Sequence, residues 1–311
     1  MINLENDLIL APMAGYSDLA FRCLCEKYGA SLTVSEMISA KALFYGSEKT
    51  DKMLITNGLM KPKSVQLFGN DPKIFENVLK TDKFNEFDMI DLNMGCPAPK
   101  IIKNKEGSYL LKDIVLASKI IESCKKSTTK PISVKFRSGF DNDHICAKEF
   151  AKMCEESGAS LITIHARTTE QKYSGKANLD IIKTVKDSVK IPVCGNGDVC
   201  DKNSYNLMKQ TGVDYVMVGR SAIGNPYVFS EILERSYDKN LFENIKFHYE
   251  KMREVYSEHI VINNMKKHLA FYLRKVNNFK PFLKEIFEVT TINKALKLIK
   301  DFLNQNSFNE N

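Results

Sequence analysis

Phe87-Asp88-Met89-Ile90-Asp91-Leu92-Asn93-Met94-Gly95-Cys96-Pro97 is an apolar β-type run that ends abruptly in a turn. Gly95 permits a sharp backbone and Pro97 stops the strand from continuing. Cys96 is therefore expected on a tight turn at the carboxyl end of a strand. Polar clusters of the same kind follow other apolar runs: Lys135 with Arg137, His165 with Arg167, Asn196-Gly197-Asp198, and Gly219-Arg220. One polar cluster per strand end is how a barrel assembles an active site.

Outward from this stretch, short apolar runs recur at 8–11, 32–35, 64–67, 89–92, 132–136, 161–164, 191–194 and 215–218. They are nearly continuous rather than alternating, as in parallel strands covered on both faces. Helical stripes lie between them, among others at 108–126, 143–157, 178–187 and 201–210. Strand–helix alternation eight times over predicts fold class α/β, a (β/α)₈ TIM barrel. An open doubly wound sheet would need a GxGxxG turn after an early strand, and none occurs.

After Pro226 the character changes, with no further strand run and helical patterns at 242–257, 263–276, 280–288 and 292–303. The predicted division is a barrel over 1–238 and an all-α helical domain over 239–311, with a frayed polar tail at 304–311. Helix 263–276 places Met265, Leu269, Tyr272 and Val276 on an inner face and Lys267 and Arg274 on an outer one.

Composition narrows the class of protein. A chain of 311 residues accommodates a barrel with a small appendage. No apolar run approaches a membrane-spanning length, and the first residues lack the progression of a signal peptide, so a cytoplasmic protein without a membrane partner is expected. The eight cysteines include no CxxC pair. No metal site or disulfide framework is expected, and free thiols in a reducing compartment are the simpler reading. The net charge is +7, and between His259 and Lys284 stand six Lys or Arg residues and no acid. Such a one-signed stretch suggests an anionic partner.

The strand ends carry the chemistry. Pro12-Met13-Ala14 offers backbone amides and a thioether to a flat ring, though on its own it reads first as a structural turn. Gln66 has an amide that pairs with a ring bearing adjacent carbonyl and N–H groups. Lys135, pointing into a barrel mouth, needs negative charge, either an acid such as Asp91 or the anionic edge of a reduced flavin. His165 suits a ring or a phosphate, and Arg167 a phosphate or carboxylate. The loops with Asn196, Gly197 and Asp198, and with Gly219 and Arg220, resemble the phosphate site that barrels build after strands seven and eight. Flavin mononucleotide, FMN, fits the combined set. Cys96 then remains as a proton donor, because an ordinary thiol is protonated at neutral pH.

These elements carry a resemblance. Ala11-Pro12-Met13-Ala14-Gly15, Val34-Ser35-Glu36-Met37, Gln66-Leu67-Phe68-Gly69, Asp91-Leu92-Asn93-Met94-Gly95-Cys96-Pro97, Lys135-Phe136-Arg137-Ser138-Gly139, His165-Ala166-Arg167-Thr168, Asn196-Gly197-Asp198, Gly219-Arg220 and Lys266-Lys267-His268 occur in order. The chain resembles the tRNA-dihydrouridine synthases, most closely the bacterial DusB class, with Ser138 where many relatives have Thr. The resemblance implies an FMN barrel followed by a helical tRNA-binding domain, with NADPH as reductant, hydride delivered to C6 of a uridine, and Cys96 protonating C5. It assigns flavin contacts to Pro12, Met13, Ala14, Gln66, Lys135, His165, Asn196, Gly197, Asp198, Gly219 and Arg220. By the same resemblance Asn93 and Arg137 would face the uracil, and the residue reading adds Arg167, Lys267 and Arg274 as expected contacts to the RNA substrate. The reading is of a monomer whose partner is tRNA. Two rivals are a flavin reductase of a small pyrimidine or enone, and a non-catalytic RNA-binding protein on the same fold.

Overall fold

The computed structural model describes residues 4–60 and 62–306. Its strands are β1 (Leu8–Leu10), β2 (Leu32–Ser39), β3 (Lys63–Phe68), β4 (Met89–Met94), β5 (Ile132–Arg137), β6 (Leu161–His165), β7 (Val193–Asn196) and β8 (Tyr215–Val218). All pair in parallel and in chain order, and β8 returns to β1, closing an eight-stranded barrel. β7 begins two residues later than the sequence suggests, because Pro192 has no N–H to give the ladder.

The connecting helices are α1 (Leu19–Lys27), α2 (Ala40–Phe44), α3 (Glu48–Asp51), α4 (Pro72–Leu79), α5 (Pro99–Lys103), α6 (Ile114–Ser127), α7 (Ala147–Glu156), α8 (Leu179–Ser188), α9 (Lys202–Lys209) and α10 (Val228–Leu233). Asp18, Asp71, Asp113, Asn178 and Asp201 cap five of them through their side chains. Asp113 also splits the expected 108–126 helix into a 3₁₀ turn, Gly107–Lys112, and α6. α7 starts late because the Asp141 carboxylate accepts the Asp143 and His144 N–H groups in a turn.

The barrel is more strictly two-faced than its sequence suggests. Leu8, Leu10, Val65, Leu67, Ile90, Leu92, Val134 and Phe136 face the helices. The inner core is a small apolar layer of Ile9, Leu32, Val34, Met89, Leu161, Cys194 and Met217. Above that layer the inward positions of β3 to β7 turn polar. Register sets Gln66 beside Asp91, Asn93 beside Lys135, Arg137 beside His165, and His165 beside Asn196.

Four further helices follow: α11 (Leu241–Arg253), α12 (Glu258–Tyr272), α13 (Phe279–Phe287) and α14 (Ile292–Gln305). They share a second core, including Tyr249, Met265, Leu269, Ile286 and Ile299, which also takes Ala20, Leu24 and Tyr28 from α1 and its cap. Phe282 and Phe302 stack there at 4.0 Å between centroids. Asn304 and Gln305, expected in a frayed tail, belong to α14, and 307–311 lie outside the described residues. No helix among the described residues is long and apolar enough to cross a membrane.

Candidate active site

A cavity of about 810 Å³ opens at the carboxyl ends of the strands, within the size range of cofactor sites. Its wall gathers Pro12, Met13, Ala14, Gln66, Asn93, Cys96, Lys135, Arg137, His165, Asn196, Gly197, Asp198, Gly219, Arg220 and Arg274. Arg167 and Lys267 are not part of that wall.

The Cys96 turn is fixed from both sides. Asn93 Oδ1 accepts the Cys96 N–H at 2.9 Å and the Gly95 N–H at 3.2 Å, a local turn closed by a side chain. The Cys96 carbonyl accepts from the Ser108 N–H at 3.1 Å and from its hydroxyl at 2.9 Å. Gly95 does not take a left-handed φ, contrary to the reading of a sharp glycine bend. Its requirement is closeness, since an added Cβ would stand 3.3 Å from the Phe136 backbone. Gly107, at φ +61°, packs beneath, where a Cβ would lie 3.1 Å from the Cys96 Cβ. Burial pushes the Cys96 thiol above its ordinary pKa of 9.0, only partly offset by the Ala98 N–H and Arg137. The sulfur is therefore a protonated thiol at neutral pH.

Beneath the turn lies a buried polar chain. Asp91 accepts from Ser133 Oγ at 2.5 Å and from Gln66 Nε2 at 2.6 Å, and Gln66 Oε1 accepts from Asn93 Nδ2 at 2.8 Å. Gln66 thus keeps one N–H and one lone pair for a ligand. β2 shifts register between Val34 and Met37. That bulge sends the Ser35 hydroxyl to the Gln66 N–H at 2.9 Å and lets the Glu36 carboxylate accept the Gly15 N–H beside the cavity.

Among the described residues Lys135 forms no ion pair. Its Nζ donates to Asn196 Oδ1 at 2.9 Å. Burial chiefly, then Arg137, pushes its pKa down to about 8, against the raising influence of Asp91. His165 is held neutral by burial, then by Lys135, Arg137, Arg167 and Arg220. Arg137 donates Nε to the Gly95 carbonyl at 2.9 Å and Nη1 to the Thr168 and Lys172 carbonyls at 2.9 and 2.8 Å. It ties the cysteine turn to the loop after β6 and leaves Nη2 for a ligand.

Arg167 departs from the sequence expectation. The side chain is buried, and its fork lands on Asp198, at 2.8 and 2.7 Å from Nη2, and on the Ser174 and Gly175 carbonyls. Nη1 stands 3.5 Å from His165 Nε2, and the residue lies outside the cavity wall, so this arginine braces the loops rather than presenting its fork to a ligand. Asp198 also accepts the Ala177 N–H at 2.8 Å and pairs with Arg220 at 3.2 Å. Burial alone would raise the Asp198 pKa, but the Ala177 N–H, Arg167 and Arg220 together lower it. With its carboxylate so engaged, Asp198 has only backbone to offer an anion. Gly197 has φ +139°, and a Cβ there would stand 2.5 Å from the Ala177 Cβ, so the loop accepts only glycine.

Lys267 also departs from expectation. It lies over the Tyr16 ring, 5.7 Å from its centroid and against the barrel, rather than on an outer face. Arg274, in the turn beyond α12, is exposed and lines the cavity with Phe271. The sequence reading missed Ser108, Gly107, Glu36 and Tyr173. Tyr173 is 56% exposed and lines the cavity, with Arg220 5.0 Å and Arg137 5.7 Å from its ring. The available signal was an aromatic in the segment directly after the basic end of β6.

The comparisons agree with this geometry. The family profile described as dihydrouridine synthase (Dus) matches residues 9–307. A probable tRNA-dihydrouridine synthase of Rickettsia conorii is 37% identical over 292 residues, 90% of this chain and 88% of that protein. The tRNA-dihydrouridine synthase B of Vibrio parahaemolyticus is 35% identical over 88% of each chain, and that of Pseudomonas aeruginosa 33% over 90% of this chain and 87% of its own. A closed parallel barrel, a cavity carrying Cys96 and Lys135, and near full-length similarity converge: the chain belongs to the dihydrouridine synthase family.

Proposed function

We propose that this protein reduces uridines in tRNA to 5,6-dihydrouridine, using FMN reduced by NADPH. The observation that carries the reading is the protonated thiol of Cys96 in one cavity with Lys135, Gly197 and Arg220. The residues fit FMN. A half-buried lysine with no carboxylate in salt-bridge contact among the described residues suits an anionic ring edge, and the Gly197 turn beside Gly219 and Arg220 suits a single phosphate. Pro12, Met13, Ala14, Gln66, His165, Asn196 and the Asp198 backbone complete the holding set. That flavin, once reduced by NADPH, supplies the hydride for C6 of the uracil ring.

The rest belongs to the chain. Cys96 gives its proton to C5 as the C5–C6 double bond is reduced, and the thiolate left behind is reprotonated from water. Its raised pKa favours both the initial protonation and the recovery. Asn93 and Arg137 hold the cysteine turn; Arg137 offers Nη2 to the uracil, and Asn93 offers the Nδ2 hydrogen that otherwise reaches only the Met37 sulfur at 3.8 Å. A base reaches this cavity only when drawn out of its stack, which costs a few kcal/mol. Phosphate contacts from the helices after residue 238 offset that cost, in a division of labour between a catalytic barrel over 1–238 and an RNA-binding unit over 239–311. The eight cysteines, all free thiols, fit work in the reducing cytoplasm.

The test is NADPH oxidation by the flavin-loaded protein with bulk tRNA against free uracil. Dihydrouridine formed in tRNA, with no turnover of uracil, is the expected result. Turnover of uracil at a comparable rate overturns the tRNA assignment, and a protein that takes up no flavin overturns the enzyme.

A further inference from the structure

Asp18 stands where the two cores of the molecule meet. Its Oδ1 accepts the Phe21 N–H at 2.9 Å, which is the cap of α1. The same carboxylate receives two fully buried histidines from the far end of the chain. His248 of α11 is 3.2 Å from Oδ1, and His268 of α12 is 3.0 Å from Oδ2. Behind them the Tyr272 hydroxyl meets His248 Nδ1 at 3.0 Å. His268 Nδ1 has no partner among the described residues. With the proton on Nε2 that atom is a bare lone pair, which is cheaper to strand than an N–H. Burial first, then His248, pushes His268 down to a pKa of about 4, so it is neutral under physiological conditions.

α12 touches the barrel loops at two more points. Tyr16 meets His268 and Phe271 edge-on, each at 5.6 Å between centroids. Gly224, after β8, lies so close that a Cβ there would stand 2.4 Å from the Phe271 carbonyl carbon. Phe271 and Arg274 are also wall residues of the cavity.

We propose that Asp18 is a positioning residue: by gripping His248 and His268 it fixes α12 against the loops after β1 and β8, and so sets Phe271 and Arg274 as one wall of the substrate cavity. The kinetic consequence rests on the uridine-reductase reading above, whereas the docking does not. A carboxylate and two imidazoles with ligand atoms within 4.8 Å also have the composition of a metal site. Against a dication stands the buried Arg22 guanidinium, one turn along α1 and in electrostatic contact with Asp18, with its Nε and Nη1 unpartnered. Hydrogen bonds account for the cluster.

The cap and the grip are separable. Asp18→Ser keeps a good N-cap and removes the grip, and Asp18→Asn keeps the cap and one acceptor oxygen. The flavin-loaded full chain is compared by amide hydrogen exchange, by RNA-free reduction with NADPH, and by tRNA kinetics. In Asp18→Ser, exchange in α12 rises by about tenfold or more while α6 is unaffected. RNA-free flavin reduction is unchanged, and kcat on tRNA falls by about tenfold to a hundredfold, with KM rising as well because Arg274 loses its place. Asp18→Asn recovers part of the loss. Unchanged exchange in α12, unchanged kcat well below the melting temperature, or stoichiometric zinc that Asp18→Ser loses would each overturn the proposal. Should Asp18→Ser not fold, His248→Leu carries the same readouts. A wild-type protein that reduces no uridine defeats the functional reading alone, because the exchange measurement still decides the docking.

Discussion

Replacing Lys135 with methionine probes the electrostatics of the cavity. Burial, aided by Arg137, lowers its pKa from 10.5 to about 8. At about 1.4 kcal/mol per pH unit, keeping this ammonium charged costs the flavin-free protein roughly 3 kcal/mol near neutral pH. Nζ borders the water of the cavity, which screens part of that, leaving roughly 2 kcal/mol. The bond to Asn196 Oδ1 returns about 1 kcal/mol. Lys135→Met, close in volume, should therefore stabilise the flavin-free protein by about 1 kcal/mol. The sign follows from linkage. The folded pKa lies below the unfolded one, so the penalty is full below about pH 8 and fades as pH rises towards 10.5. The advantage of the variant must shrink over the same window. Flavin affinity moves the other way and falls by about tenfold to a hundredfold, the worth of one charge-assisted contact. Urea denaturation near neutral pH and near pH 10, with flavin titration by fluorescence quenching, reads both. A variant clearly less stable than wild type near neutral pH, or one with undiminished flavin affinity, refutes the reasoning.

Cys96→Ala should keep flavin and its reduction by NADPH while uridine reduction falls by about a hundredfold to ten-thousandfold, the usual loss on removing a general acid; normal single-turnover rates with tRNA would remove the thiol from the mechanism. Gly197→Ala forces a Cβ to 2.5 Å from Ala177 at φ +139°. A loss of roughly 2–4 kcal/mol and of most bound flavin is expected, read by melting and by absorbance, and a fully yellow, equally stable variant would contradict it. Arg274→Ala should weaken tRNA binding and reduce the slope of log affinity against log salt by about one. An unchanged slope would take Arg274 off the RNA path.

The barrel was legible because aliphatic runs and turn residues are local signals. All eight strands fall on runs visible in the sequence, with β7 displaced only by the missing N–H of Pro192. The convergence of Cys96, Lys135, His165 and Arg220 followed from strand ends alone, since closure brings such ends to one mouth. Partner choice was not legible. Arg167 looks identical in sequence whether it forks onto a ligand or onto Asp198, 31 residues away. The bulge in β2 leaves no periodic trace in Val34-Ser35-Glu36-Met37, yet it supplies the support of Gln66 and Gly15. Lys267 was placed outward by helical phase relative to the apolar stripe. α12 has a second buried side, which carries His268 and the half-buried Lys267 and Phe271, and one stripe does not reveal it.

The unequal lining of the barrel bears on how this enzyme tolerates change. β1, β2 and β8 meet the lumen with Ile9, Leu32, Val34 and Met217, where one aliphatic group substitutes for another at modest loss. On β3 to β7 each inward group above that layer satisfies a neighbour, from Ser133 through Asp91 and Gln66 to Asn93, and from Lys135 to Asn196. A library aimed at new substrates should randomise the first arc freely and alter the chain from Ser133 to Asn93 only in compensating pairs, since a single change there strands a donor or acceptor on the adjoining stave.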